Sequence, residues 1–429
     1  MRNCVVFLQI PFVSPCDGYY HAAHRLNLLP IVITRTAYKN SVFTSSNMVI
    51  VRDMETPTVM AAIDEIGRSK IAGVFACHDA TVEPAARISA ALGRPHGDAD
   101  AIARCNDKLR CRDFLAEQGY KSVDYRRASS PTEVAVAAEA LAGHVVVKPR
   151  SSTGSLGVRI CRTPQEAADW ALLLNTAGID DLILEAHLDG PQFSVSLFDG
   201  EPLAVHRDHI ASGPSPLFIG VDAPANVSDV ERSEICDFAR KICRSIGCTK
   251  GPALVELRRG NDHCNLVEVN PRPGLSSSQT LSGATGIDHN ALCLKFVCGL
   301  PYSIEDEIAS SQPQAAALRY LVRDGQSIRR IVGTEDAKTT ENVEKVVVFE
   351  SRFERVGPAS SSLDCVATVL ANAETLAIAA SSADEALRKI KIIPEGKIAR
   401  KIRRFRRRLA RRYDKWKTIL SNIAAVRPQ

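Results

Sequence analysis

Between Pro252 and Gly274 the chain places Glu256, Glu268, Asn270 and Arg272, three side chains with oxygen donors and one guanidinium. Side chains alternate faces along a strand, so Glu268 and Asn270 point the same way. Pairing of Ala253–Leu257 with Leu266–Val269 across the turn Gly260-Asn261-Asp262 would bring Glu256 beside them. Two carboxylates together on a half-buried sheet repel, and burying them costs on the order of several kcal/mol unless a cation answers them. Magnesium, or manganese in its stead, held by a few carboxylates and nucleotide phosphates would do so. Arg272, reached through Pro271, could grip a phosphate with two parallel hydrogen bonds. The chemically silent alternative is a polar outer face carrying surface ion pairs.

Other residues could serve the same chemistry. Lys148 ends the β-rich run His144–Lys148 and is followed by Pro149-Arg150-Ser151-Ser152-Thr153-Gly154-Ser155-Leu156-Gly157-Val158. A loop of small residues lets backbone N–H groups approach an anion closely, while the same composition also makes ordinary turns. The lysine precedes the glycines, whereas a Walker A loop has it after them, so this is not a P-loop. Asn106-Asp107-Lys108 opens a predicted helix running to Gln118, which leaves Lys108 in its first turn. His78 and Asp79 follow the predicted strand 71–77, at the carboxyl end where open parallel sheets bind ligands; Asp79 could equally cap the next helix.

The elements that position these groups are short. Apolar runs at 4–10, 31–35, 48–52 and 71–77 alternate with helix-compatible Thr56–Ser69 and Thr81–Leu92, which predicts a Rossmann-like parallel sheet without a Gly-x-Gly-x-x-Gly turn. Leu182–Leu188 reads as a strand, Asp208 to Asn226 as a solvated Gly/Pro/Ser-rich connector, and Val227 to Gly247 as a helix. Ala315–Val322, Val343–Glu350 and Leu376–Ala380 read as strands and Ala383–Ile392 as a last helix.

With 429 residues, 45% hydrophobic and 24% charged, the chain has room for about three domains and a sizeable core. No apolar run approaches the roughly 18 residues of a membrane span. The opening run is broken by Gln9 and lacks a cleavage site, so it is read as a strand in a cytoplasmic protein. Thirteen cysteines without a Cys-x-x-Cys pair argue against a disulfide framework or zinc ribbon. His21/His24 and His206/His209 are read as packing or surface histidines. The net charge of +5 conceals twelve Lys or Arg against Asp414 within residues 396–417, leaving the rest at −6. Apolar Ile398, Ile402, Phe405, Leu409, Trp416 and Leu420 recur there at helical spacing, which predicts a basic amphipathic helix for self-docking or dimerisation, an anionic membrane or nucleic acid.

Glu256, followed twelve positions later by Glu268-x-Asn270-x-Arg272, resembles the metal-binding end of the ATP-grasp superfamily, and the lysine and glycine segments are similar to its phosphate-binding parts. The resemblance is strongest from 70 to 300, and the region 315 to 393 is similar to the small C-terminal domain of carboxylate-amine ligases. It implies an α/β protein with a Rossmann-like domain at 1–105, an ATP-grasp core of two α+β subdomains at 106–300, a small α+β domain at 301–395 and the basic tail at 396–429. It also implies ATP and magnesium: Glu256, Glu268 and Asn270 on metal; Arg272 and Glu268 in catalysis; Lys108, Lys148, Ser155 and Gly157 on phosphates. Glu185, Ala186 and Leu188 would hold adenine. Gln192 would take the ribose, where the family's pattern has an acid; Ser196 replaces a second Glu. The function implied is ADP-forming ligation of a carboxylate to an amine, most like the L-amino acid ligases, with amino acid substrates and a homo-oligomer expected. An ATP-grasp carboxylase or purine-type ligase, and a non-catalytic nucleotide-binding protein, are the alternatives.

Overall fold

A computed structural model describes residues 3–9, 17–36, 47–120, 123–260, 263–308, 314–323, 325–353 and 359–396. The basic tail beyond 396 and the tip of the 252–274 turn therefore lie outside the described residues. The first sheet is wholly parallel, in the order Met48–Ile50, Leu29–Thr34, Cys4–Leu8, Ile71–Phe75. Its strands are nearly continuous apolar runs because both faces are covered. Helices Thr56–Ile66 and Asp79–Ala91 bury one face, while Asp17–Arg25 and the distant helix His289–Cys298 bury the other. The last packing is close: a Cβ at Gly73 would lie 2.3 Å from the Val297 carbonyl oxygen, so only glycine fits there.

The rest is built on antiparallel sheets. One has the order Tyr125–Ala128, Leu182–Ala186, Val145–Pro149, Arg159–Cys161, with helices Pro131–Ala140 and Pro164–Thr176 packed on it. A second has eight strands: Cys264–Asn270, Pro252–Arg259, Gln192–Phe198, Glu201–Ala211, Leu217–Ala223, Ala315–Val322, Cys365–Ala373 and Val343–Val348. Helix Asp229–Ile246 covers one end of it, opened by a Ser228/Glu231 capping box and closed by left-handed Gly247. Helix Leu376–Lys389 covers the other end with Ala379, Ala383 and Ala386. One sheet thus carries the Glu256/Glu268 hairpin and the C-terminal strands together, with the fold mixed α/β as expected.

Two sequence expectations are corrected. Residues 208–226 are not a solvated connector: Asp208–Ala211 ends one strand of the eight-stranded sheet and Leu217–Ala223 forms the next, with only a short turn between. Leu376–Ala380 is not a strand but the start of a helix, because Thr375 caps Ile378 N–H at 3.4 Å and the buried alanines recur at helical spacing. The helix expected over 383–392 accordingly ends at Lys389, and Lys391–Pro394 pairs with Ile328–Val332. Among the described residues no helix is long and apolar enough to cross a membrane.

Candidate active site

In the hairpin Glu256 lies directly opposite Glu268, and Ser194 flanks Glu256 on the other side. Asn270 Nδ2 donates to Glu256 Oε1 at 3.1 Å, and Gln192 Nε2 reaches Glu256 Oε2 at 3.4 Å. Glu268 Oε1 accepts an ion pair from Lys108 Nζ at 2.9 Å. Burial, then the neighbouring Glu268 and Asp208, push Glu256 up to about 8, so the site holds more negative charge than its own cations balance. Among the described residues no three His, Cys, Asp or Glu form a metal cluster. Two carboxylates and an amide, completed by oxygens brought in with a polyphosphate, suit magnesium, which keeps few protein ligands.

Arg272 is clamped from the parallel sheet. Both its Nε and one terminal nitrogen donate to the Asp79 carboxylate, the latter at 2.9 Å, and Asn270 Oδ1 accepts at 3.1 Å. Burial alone would raise Asp79, but the guanidinium holds it well below the usual carboxylate range. The helix cap here is His78, whose Nδ1 accepts from Ala80 N–H at 3.2 Å, so Asp79 is left to Arg272.

Lys148, 8% exposed, pairs with Glu185, which is 3% exposed. The second Glu185 oxygen accepts from Arg112 Nε at 3.1 Å, and Arg112 also donates to the Leu266 and Val267 carbonyls at 3.0 and 2.8 Å. Burial opposes ionisation of Glu185, yet Arg112 and Lys148 together hold it down at about 2. Arg112 thereby ties the antiparallel sheet of Lys148 to the back of the hairpin. Sequence reasoning missed it, although it sits four residues after Lys108 on one helix face.

The loop after Lys148 folds over this cluster. Gly154, Ser155 and Gly157 all have left-handed backbone, with φ of 62°, 58° and 78°. Lys108 Nζ donates to Ser152 O at 2.9 Å, Ser362 N–H donates to Gly154 O at 3.0 Å, and Arg150 grips Asp107 at 2.8 and 2.6 Å. Beneath the loop a cleft of about 110 Å³ is lined by Lys108, Lys148, Ser155 and the 185–188 segment. Leu188 O already accepts from Arg258 at 3.1 Å. Gly154, Ser155, Gln192, Glu256 and Glu268 also line a larger cavity of about 390 Å³ that extends to Ser276, Tyr320 and Arg352. The predicted residues thus converge from four segments of chain, except Gly157, which lines neither cavity and packs against Pro149, Leu174 and Trp170. Among the histidines, His206 is buried between Ser196 Oγ at 2.8 Å and Thr280 Oγ1 at 3.1 Å, and burial pushes it down to about 3, whereas His209 pairs with Asp222 at 2.7 Å.

Comparison with known families matches residues 105–276 to the ATP-grasp domain and residues 319–395 to the L-amino acid ligase C-terminal domain 2. The core is an ATP-grasp domain. Residues 105–276 are thus similar to the ATP-grasp domain found in ATP-dependent carbon–nitrogen ligases such as the D-alanine–D-alanine ligases. An uncharacterised protein of Sinorhizobium fredii is 25% identical over 76% of this chain and 69% of its own length. A D-alanine–D-alanine ligase of Actinobacillus pleuropneumoniae is 28% identical over 31% of this chain; the ATP-grasp chain spans 46% of that relative. The solved L-amino acid ligase of Bacillus licheniformis shares the fold with a TM-score of 0.78 at 20% identity, over 92% of this chain and all of that one.

Proposed function

We propose that the protein joins the carboxylate of one amino acid to the amine of another, forming ADP and phosphate by way of an acyl phosphate. The observation that carries this reading is the paired cavity: a phosphate-sized cleft lined by Lys108 and Lys148 opens, across Glu256 and Glu268, into a larger chamber able to hold an acid and an amine. Glu256, Glu268 and Asn270 would hold magnesium, which neutralises charge on the transferring phosphoryl group. Lys108, Lys148 and Ser155 would hold phosphates. The engagement of both Glu185 oxygens supports a role for that carboxylate in fixing Lys148, which leaves adenine to the Ala186–Leu188 backbone and ribose to Gln192. Arg272, held rigid by Asp79, would orient the substrate carboxylate and then receive the oxyanion as the amine attacks. No protein nucleophile is required, because positioning and electrostatics do the work.

ADP release with magnesium-ATP across pairs of the twenty common amino acids, with mass detection of product, tests this. The expected product has the mass of two amino acids less one water. ADP release driven by bicarbonate or formate with no amino acid present would replace the reading by a carboxylase or purine-type ligase.

A further inference from the structure

Five carboxylates are buried among the described residues: Glu185, Asp208, Asp222, Glu307 and Asp364. Four of them have a cation of their own. Glu185 has Arg112 and Lys148, Asp222 has Arg319 and His209, Glu307 has Lys295, and Asp364 has Arg323. Asp208, 4% exposed, has no ion-pair partner among the described residues and accepts only from Ser194 Oγ at 2.9 Å and, weakly, from Gln192 Nε2 at 3.4 Å. An ionised carboxylate can accept about four hydrogen bonds, so about half its capacity is unused. Its side chain lines the larger cavity beside Glu256, Ser276 and Tyr320. The hydroxyl of Ser277, also buried and lining that cavity, has no hydrogen-bond partner among the described residues.

A buried anion without a cation is costly unless a positive group arrives with a ligand. Magnesium answers Glu256 and Glu268 in the reading above, and it leaves Asp208 unanswered. We infer that Asp208 binds the ammonium group of the amine substrate in the larger cavity and accepts the proton that the nitrogen must lose before it can attack. This rests on the acyl-phosphate ligase reading. The nitrogen of an ammonium loses two protons in all. The first passes to Asp208, freeing the lone pair that forms the new C–N bond; the C–O bond to phosphate then breaks, and phosphate leaves with its electron pair and the second proton. Asp208 returns its proton to solvent as product departs. Burial, offset in part by the Ser194 and Gln192 hydrogen bonds, raises Asp208 to about 6, which suits a group that must take up and release a proton near neutrality.

Asp208→Asn keeps the size and the Ser194 contact while removing the charge. Hydroxylamine, an amine already unprotonated at neutral pH, serves as a second acceptor, with each of the twenty common amino acids as donor at saturating magnesium-ATP. In the variant, amino acid ligation is expected to fall at least about 100-fold, within the range of a lost general base, while hydroxamate formation stays within about 3-fold of the native rate. Equal loss of both activities would make Asp208 a structural or metal-binding group and overturn the assignment, and so would undiminished amino acid ligation. No hydroxamate from the native protein with any donor would overturn the acyl-phosphate reading, and this assignment with it.

Discussion

Glu268→Gln will leave the fold intact and lower turnover by at least about 100-fold, the scale expected when a principal electrostatic group is lost at a reacting phosphate. The fold survives because glutamine keeps the length of the side chain and an oxygen for Lys108, whose Nζ lies 2.9 Å from Glu268 Oε1. Activity falls because the amide carries no charge to share a cation with Glu256 directly across the hairpin. Steady-state ADP release at saturating magnesium, beside a circular dichroism spectrum, separates the two effects. Near-native turnover in a folded variant would remove Glu268 from the metal site.

Arg112→Met should be the most destabilising single change at the cleft. It strips Glu185 of one of two cations and leaves the Leu266 and Val267 carbonyls without their donor. Breaking a buried pair from one side costs about 3–5 kcal/mol. Arg127→Met, which removes an exposed pair with Asp181, should cost less than about 1 kcal/mol. Urea midpoints of the two variants against the native chain measure the contrast, and comparable small losses would contradict it. The pH sign follows from Glu185, whose folded value of about 2 lies below its ordinary 4.5. Its stabilising contribution is complete above about pH 4.5 and fades as pH falls toward 2, so the native chain should lose its advantage over Arg112→Met in acid.

The hairpin was legible because its chemistry is local: alternation along two adjacent strands places Glu256, Glu268 and Asn270 on one face whatever surrounds them. The parallel sheet was legible for the same reason, its apolar strands being separated by helical stretches. Arg112 and Asp79 were harder. Their partners Glu185 and Arg272 lie 73 and 193 residues away, and ion pairs across such separations leave no periodic trace in a sequence. Asp208 was placed in a connector because Gly213, Pro214 and Ser215 punctuate the segment. The punctuation marks only the turn of a hairpin whose strands are paired on both sides within the sheet. Leu376–Ala380 failed through length, since five apolar residues suit a strand or the buried side of a helix, and the Thr375 cap decides.

The central claim is that a substrate carboxylate attacks the γ-phosphate, and oxygen-18 tests it most directly. With an active amino acid donor labelled in both carboxylate oxygens, one labelled oxygen should appear in the inorganic phosphate released with ADP, and the other should remain in the product amide. Label transferred to AMP, or phosphate carrying none, would contradict the account.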